Sequence, residues 1–186
     1  MNVELQKETS MKSLTRALFC LIALTLGAGT SAAQANAHST MAPGTGSPGF
    51  DKLKTLVGEW EGKAQDGARV NVSYRLVSNG TALMETLHPT GESEMVTVYT
   101  ADGDRVAVTH YCNANNQPHM RTAPVSGNPQ KFDFPFVSVT NLASPTAGHM
   151  HHLAVTLTDN DHFSQTWTWR ENGKDKTNTF LFFRKK

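Results

Sequence analysis

Eight histidines in a chain of 186 residues raise the question of metal or acid–base chemistry. Three stand together in His149-Met150-His151-His152. On a strand, residues i and i+2 point to the same side. His149 and His151 would then present two imidazoles side by side, as some zinc sites require. A metal needs at least a third ligand, for which His110, His88 and His119 are candidates, and no spacing rule selects one. The competing reading is a polar strand end with solvent-facing histidines.

His110 and Cys112 form a second i, i+2 pair. A base beside a thiol suggests nucleophilic catalysis, but along a strand their Cα atoms stand about 6.6 Å apart, long for a thiolate–imidazolium contact. No Asp or Asn at a recognisable spacing orients the histidine. A polar pair lining a cavity, or an inert core thiol at Cys112, accounts for the same residues. Arg121 and Arg75 are the cations of interest, because a guanidinium fork pairs a ligand carboxylate bidentately. Arg121 follows the polar cluster Asn116 to Met120. An outward, solvated side chain is the alternative for both. Tyr99 and Tyr111 are available hydroxyls that serve equally as packing residues.

The elements that would position these groups are strands. Asp66-Gly67, Asn79-Gly80, Asp102-Gly103 and Asn172-Gly173 are each flanked by strand-favouring residues. Such pairs suit two-residue hairpins, whose type I′ turn needs φ > 0 at both central positions. Ten candidate strands follow, at 58–65, 68–78, 81–88, 93–101, 104–112, 117–124, 131–139, 150–158, 161–170 and 174–184. Pro118 and Pro135 weaken the sixth and seventh, since proline cannot donate to a ladder. Leu53, Leu56 and Val57 have helical spacing, so one short helix over 50–57 is expected, with Asp51 as N-cap, plugging an end of the sheet. The expected fold is all-β: an antiparallel up-and-down barrel of about ten strands with one short N-terminal helix.

Pairing outward from two-residue turns assigns faces. Across Asn172-Gly173, Glu171 meets Lys174 and Arg170 meets Asp175, both opposite charges. Phe163, Gln165, Trp167 and Trp169 then share an aromatic, inward face with Lys176, Asn178, Phe180 and Phe182. Across Asp102-Gly103, one face holds Met95, Thr97, Tyr99, Val106, Val108, His110 and Cys112. Across Asp66-Gly67, Trp60 shares a face with Gly62, Asn71 and Ser73. Strands 68–78 and 81–88 carry apolar residues on both sides, which leaves their inner face open and would fit a homodimer.

Composition narrows the class. Lys12 and Arg16 precede an apolar run from Ala17 to Leu26, followed by Ala33-Gln34-Ala35. That pattern is a secretory signal peptide over 1–35, with Met11 as an alternative start, so a periplasmic or secreted protein is expected. Residues 36–49 are Ser-, Thr-, Pro- and Gly-rich and read as a disordered linker before a barrel domain over 50–186. Three of the 17 basic and two of the 16 acidic residues precede residue 36, which leaves 14 of each. This balance, without a charge run, gives no sign of a nucleic-acid or anionic-membrane partner. No later apolar stretch is long enough to span a bilayer. Cys112 is the only cysteine after Cys20, so no internal disulfide is expected.

Leu56-Val57-Gly58-Glu59-Trp60-Glu61-Gly62 resembles the G-x-W opening of lipocalins and related calycin barrels. It is similar also to small bacterial lipocalin-like domains of unknown function and, distantly, to nitrobindin-like haem barrels and fatty-acid-binding proteins. The motif covers seven residues and the architecture about residues 50–186. The resemblance implies that Trp60 packs at the closed end of a barrel. The nitrobindin-like pattern continues with a glycine-rich stretch and Tyr-Pro, where this chain has Lys63-Ala64-Gln65-Asp66, so no cofactor is expected. The function expected is non-catalytic binding of a small hydrophobic or amphipathic ligand. Its lining would be Trp167, His110, Gln165, Arg121, Tyr99, Asn178 and Phe180. The alternatives are a haem or metal protein using His149, His151 and His110, and a cavity enzyme such as an isomerase, cyclase or hydrolase.

Overall fold

The structure, a computed structural model, describes residues 47–65 and 67–186. The signal segment, the Met11 alternative, Cys20, linker residues 36–46 and Asp66 lie outside the described residues. Helix α1 (Pro48–Leu53) and a 3-10 turn (Lys54–Leu56) lead into ten strands. These are β1 (Gly58–Lys63), β2 (Arg69–Val77), β3 (Ala82–Pro89), β4 (Met95–Asp102) and β5 (Arg105–Tyr111). Then come β6 (Gln117–Arg121), β7 (Lys131–Thr140), β8 (His149–Leu157), β9 (His162–Glu171) and β10 (Lys174–Arg184). Each strand pairs antiparallel with its sequence neighbour, and β10 returns to β1, closing an up-and-down barrel.

The turns fix which residues face inward, and they do so by parity. At Asn172-Gly173 both central residues have positive φ, 50° and 71°, and Glu171 pairs with Lys174 as expected. Arg170 and Asp175 form a bidentate ion pair across that hairpin, at 2.6 and 2.8 Å. The β4–β5 turn sits one residue further along than expected, on Gly103-Asp104, with Asp102 opposite Arg105. Moving a turn by one position slips the register by two, so the expected faces survive. Between β1 and β2 the loop is longer by one residue: Ala64 N–H donates to Ala68 O, Gly67 lies at φ 86°, and Trp60 pairs with Val72. An odd slip exchanges the faces. Trp60 therefore shares the inside with Val70, Val72 and Tyr74, and Asn71 and Ser73 face out, opposite to the expectation.

The same pairing settles β2 and β3. Tyr74 stands opposite Glu85 with both buried, while Arg75 lies on the outer face beside Met84. Pro118 and Pro135 both lie inside strands. Pro135 sits where β7 stops pairing with β8 and starts pairing with β6, a point where a missing N–H does least damage.

One end of the barrel is closed. Ser47, not Asp51, caps α1, accepting from Phe50 N at 3.4 Å, while Asp51 pairs with Lys54. Ser47, Pro48 and Gly49, read above as linker, therefore begin the folded domain. Phe50, Leu53 and Leu56 are buried in the barrel's core. Trp60 is 1% exposed; its indole N–H donates to Leu56 O at 2.8 Å and the Arg184 guanidinium lies 4.0 Å over its ring. Phe163 meets Trp60 edge-on and stacks on Phe182. With Phe132, Phe134 and Leu83, these side chains fill that half of the interior.

Replacing Gly173 by Val forces a β-branched residue to positive φ. Equilibrium denaturation should show a loss of about 1–3 kcal/mol; an unchanged midpoint would contradict the turn.

A candidate ligand-binding cup at the open end

Above the filled half, the inward positions become polar. Glu85 on β3 has no exposed surface. Its Oε2 accepts from Tyr74 OH at 2.6 Å, Tyr99 OH at 2.7 Å and Gln165 Nε2 at 2.7 Å. Its Oε1 accepts from Thr97 Oγ1 at 3.3 Å. The second amide hydrogen of Gln165 goes to Tyr74 OH, and Gln165 Oε1 accepts from Trp167 Nε1 at 3.1 Å, which fixes the amide's orientation. Burial pushes the Glu85 carboxyl above its ordinary pKa, and the donated hydrogen bonds oppose that rise. Burial, with Glu85 alongside, holds both tyrosines far above the usual phenol value, so they stay neutral donors.

Thr97 Oγ1 also meets His110 Nδ1 at 2.9 Å. His110 is 1% exposed and packs against Trp167 with ring centroids 4.7 Å apart. Its other ring nitrogen, Nε2, is buried and has no hydrogen-bond partner in the protein. Burial lowers the His110 pKa to about 4.

His110 and Trp167 form the floor of a cup of about 230 Å³ that opens at the end opposite α1. Trp169, Phe180, Met150, Met95, Leu87 and Val70 make its walls, with Asn178 among them. Arg69, Glu92 and Lys176 stand at the rim. The cup runs outward into a wider depression bordered by Cys112, Asn113 and Lys174.

Of the expected lining, Trp167, His110, Asn178 and Phe180 reach the cup. Gln165 and Tyr99 lie below the floor, bound into the Glu85 cluster. Arg121 does not reach it. It lies on the outer surface, paired with Asp102 at 3.0 Å, because Met120 takes the inward position on β6. The loop before β6 left that parity unset in the sequence.

Of the three histidines proposed for metal, His149 and His151 meet and His110 does not join them. A bulge at His151 lets His149 Nε2 and His151 Nδ1 approach to 3.2 Å, while His110 packs on Trp167. Arg170 donates to His151 Nε2, so His151 N–H donates to His149, and His149 Nδ1 donates to Ala147 O. That chain leaves neither imidazole a lone pair for a metal. Among the described residues no three His, Cys, Asp or Glu side chains converge on a metal position. Cys112 Sγ donates to Asn113 Oδ1, and burial raises its pKa, which disfavours the thiolate a nucleophile needs.

Sequence reasoning missed Glu85, Thr97 and Tyr74 as a unit. The available signal was Glu85 alternating with Leu83 and Leu87, a carboxylate in an otherwise apolar inward row.

The sequence matches no protein-family model and no curated protein. Among solved structures it is similar to a protein of unknown function from the DUF3598 family of Nostoc punctiforme. That match has a TM-score of 0.48 and 17% identity, covering 72% of this chain and 48% of that one. The chain thus spans about half of that protein's length. It is also similar to EF1p2_mFAP2b bound to DFHBI, with a TM-score of 0.36 and 8% identity, over 73% of this chain and 98% of that one.

The lowered His110 pKa has a signed consequence. Between about pH 6.5 and 4 the unfolded chain binds a proton at His110 that the folded one does not, so this residue removes stability as pH falls through that window. His110→Phe should reduce the acid sensitivity by about 2–3 kcal/mol over the window, read from denaturation curves at both ends. Equal acid sensitivity in the two proteins would contradict the buried, neutral imidazole.

Proposed function

We propose that this lipocalin-like barrel binds a small, mainly apolar molecule in the open-end cup and performs no chemistry on it. The observation that carries this reading is the cup itself: an aromatic-walled hollow above a half filled with buried aromatic and aliphatic side chains. Interiors normally fill to crystal-like density, and a concave apolar site with a few polar groups is the usual form of a ligand pocket. The hollow of about 230 Å³ is smaller than most drug-sized pockets of about 300–1,000 Å³. It exceeds the dry cavity of about 150 Å³ that accepts benzene. A ligand of one or two rings fits, with Trp167, Trp169 and Phe180 offering ring faces. A haem macrocycle is too large for the enclosed space. Catalysis has less support, because Glu85 and the two tyrosines are bonded to one another beneath the floor.

Export is part of the same proposal, resting on the Lys12-to-Ala35 pattern. Protein recovered from periplasm or medium should begin near residue 36 or 38 on N-terminal sequencing; an intact Met1 or Met11 there would refute it.

For the cup, naphthalene should quench tryptophan emission on binding. Trp167→Ala should weaken that binding about tenfold while the circular dichroism spectrum is retained, given the packing lost with one buried ring. A Trp167→Ala protein with unchanged affinity would remove the cup from consideration.

A further inference from the structure

His110 lines the floor of a mainly apolar cup, and its Nε2 is a buried polar atom with no partner in the protein. Such an atom is uncommon and calls for a physical reason. Whether it can give or accept a hydrogen is decided by its own ring's other nitrogen, and that nitrogen is wired to Glu85. Thr97 is the link, with a single hydroxyl proton between His110 Nδ1 at 2.9 Å and Glu85 Oε1 at 3.3 Å.

The proton count has two consistent solutions. With Glu85 ionised, Thr97 gives its hydroxyl proton to Oε1 and accepts from His110 Nδ1–H, so Nε2 carries a lone pair. With one proton added, it belongs on Oε1, because Oε2 already accepts from Tyr74, Tyr99 and Gln165. Glu85 then donates to Thr97, Thr97 turns its proton to Nδ1, and the ring proton stands on Nε2. The two states differ by one proton, and the imidazole is neutral in both.

We propose that the cup selects its ligand by hydrogen-bond polarity, which Glu85 sets through Thr97 and His110: a hydroxyl or N–H ligand when Glu85 is ionised, a carbonyl ligand when it is protonated. This rests on the binding reading above. Nε2 is closed to solvent and His110 lines the floor, so the polar group of the ligand has to seat directly against that ring. The other titratable groups facing the chain are Tyr74 and Tyr99, which stay neutral. Arg69, Glu92 and Lys176 face the cup from its rim. Burial raises Glu85 above its ordinary value and lowers His110 to about 4, so the carboxyl takes the added proton before the imidazole does.

Three bicyclic probes of similar size separate the possibilities: indole donates only, 1-indanone accepts only, and indane does neither. Calorimetric titration from about pH 5 to about pH 9 should leave indane affinity constant. The affinity ratio of indole to 1-indanone should rise about tenfold or more with pH, the scale of one buried hydrogen bond made or missed. Glu85→Gln and Thr97→Val should each make that ratio independent of pH. His110→Phe should likewise make that ratio independent of pH. If Glu85→Gln does not fold, Thr97→Val and the ring-nitrogen shifts of His110, followed by NMR across the same pH range, test the switch. A wild-type ratio that stays flat, or His110 ring shifts that report one tautomer throughout, overturns the polarity switch while indane binding leaves the cup intact. If none of the probes binds, the binding reading and this inference fall together.

Discussion

Glu85 sits inside the barrel without contact with water, and the middle of the molecule is built around its needs. Moving a carboxylate out of water costs several kcal/mol unless donors replace the lost hydration. Here four donors do so, from Tyr74 on β2, Thr97 and Tyr99 on β4, and Gln165 on β9. Removing Thr97 would leave Oε1 without its donor, at about 1–3 kcal/mol. The cluster thus ties opposite walls of the barrel together at one level. It divides the interior into a half filled with aromatic rings and a half left as a cup.

The closed half depends on a different join. Arg184, at the end of the last strand, lies over Trp60 on the first and donates to the carbonyls of Thr55 and Val57. Trp60 in turn donates to Leu56. These contacts connect the helical lead-in, the first strand and the last strand, where barrel closure would otherwise rest on the β1–β10 ladder alone. With that end sealed by Phe50, Leu53 and Leu56, access to the interior is left to the end where Trp169, Asn178 and Lys176 stand.

The histidines show how one residue type takes different roles from its surroundings. His149 and His151 use their nitrogens on each other, on Ala147 and on Arg170, so the pair fastens the entry of β8 to β9. His110 uses one nitrogen on Thr97 and keeps the other. The H-x-H spacing drew attention to the first pair, while the single histidine in an apolar row is the one that reaches the cup.

Local chemistry in the sequence determined the strands, their number and their order. Asx-Gly turns and alternation are properties of a few consecutive residues, and antiparallel meanders pair neighbours in sequence. The Arg170–Asp175 pair and the inward row from Phe163 through Trp169 followed from one such turn. What local chemistry left open was parity. The β1–β2 loop carries one more residue than its Asp66-Gly67 pair suggests, and that single residue exchanged Asn71 and Ser73 for Val70 and Val72 on the inside. Arg121 fell outside for the same kind of reason. The Glu85 cluster was beyond reach altogether, because Tyr74, Glu85, Thr97 and Gln165 come from four different strands. Only closure of the barrel turns their side chains toward one point, where desolvation makes each need the others.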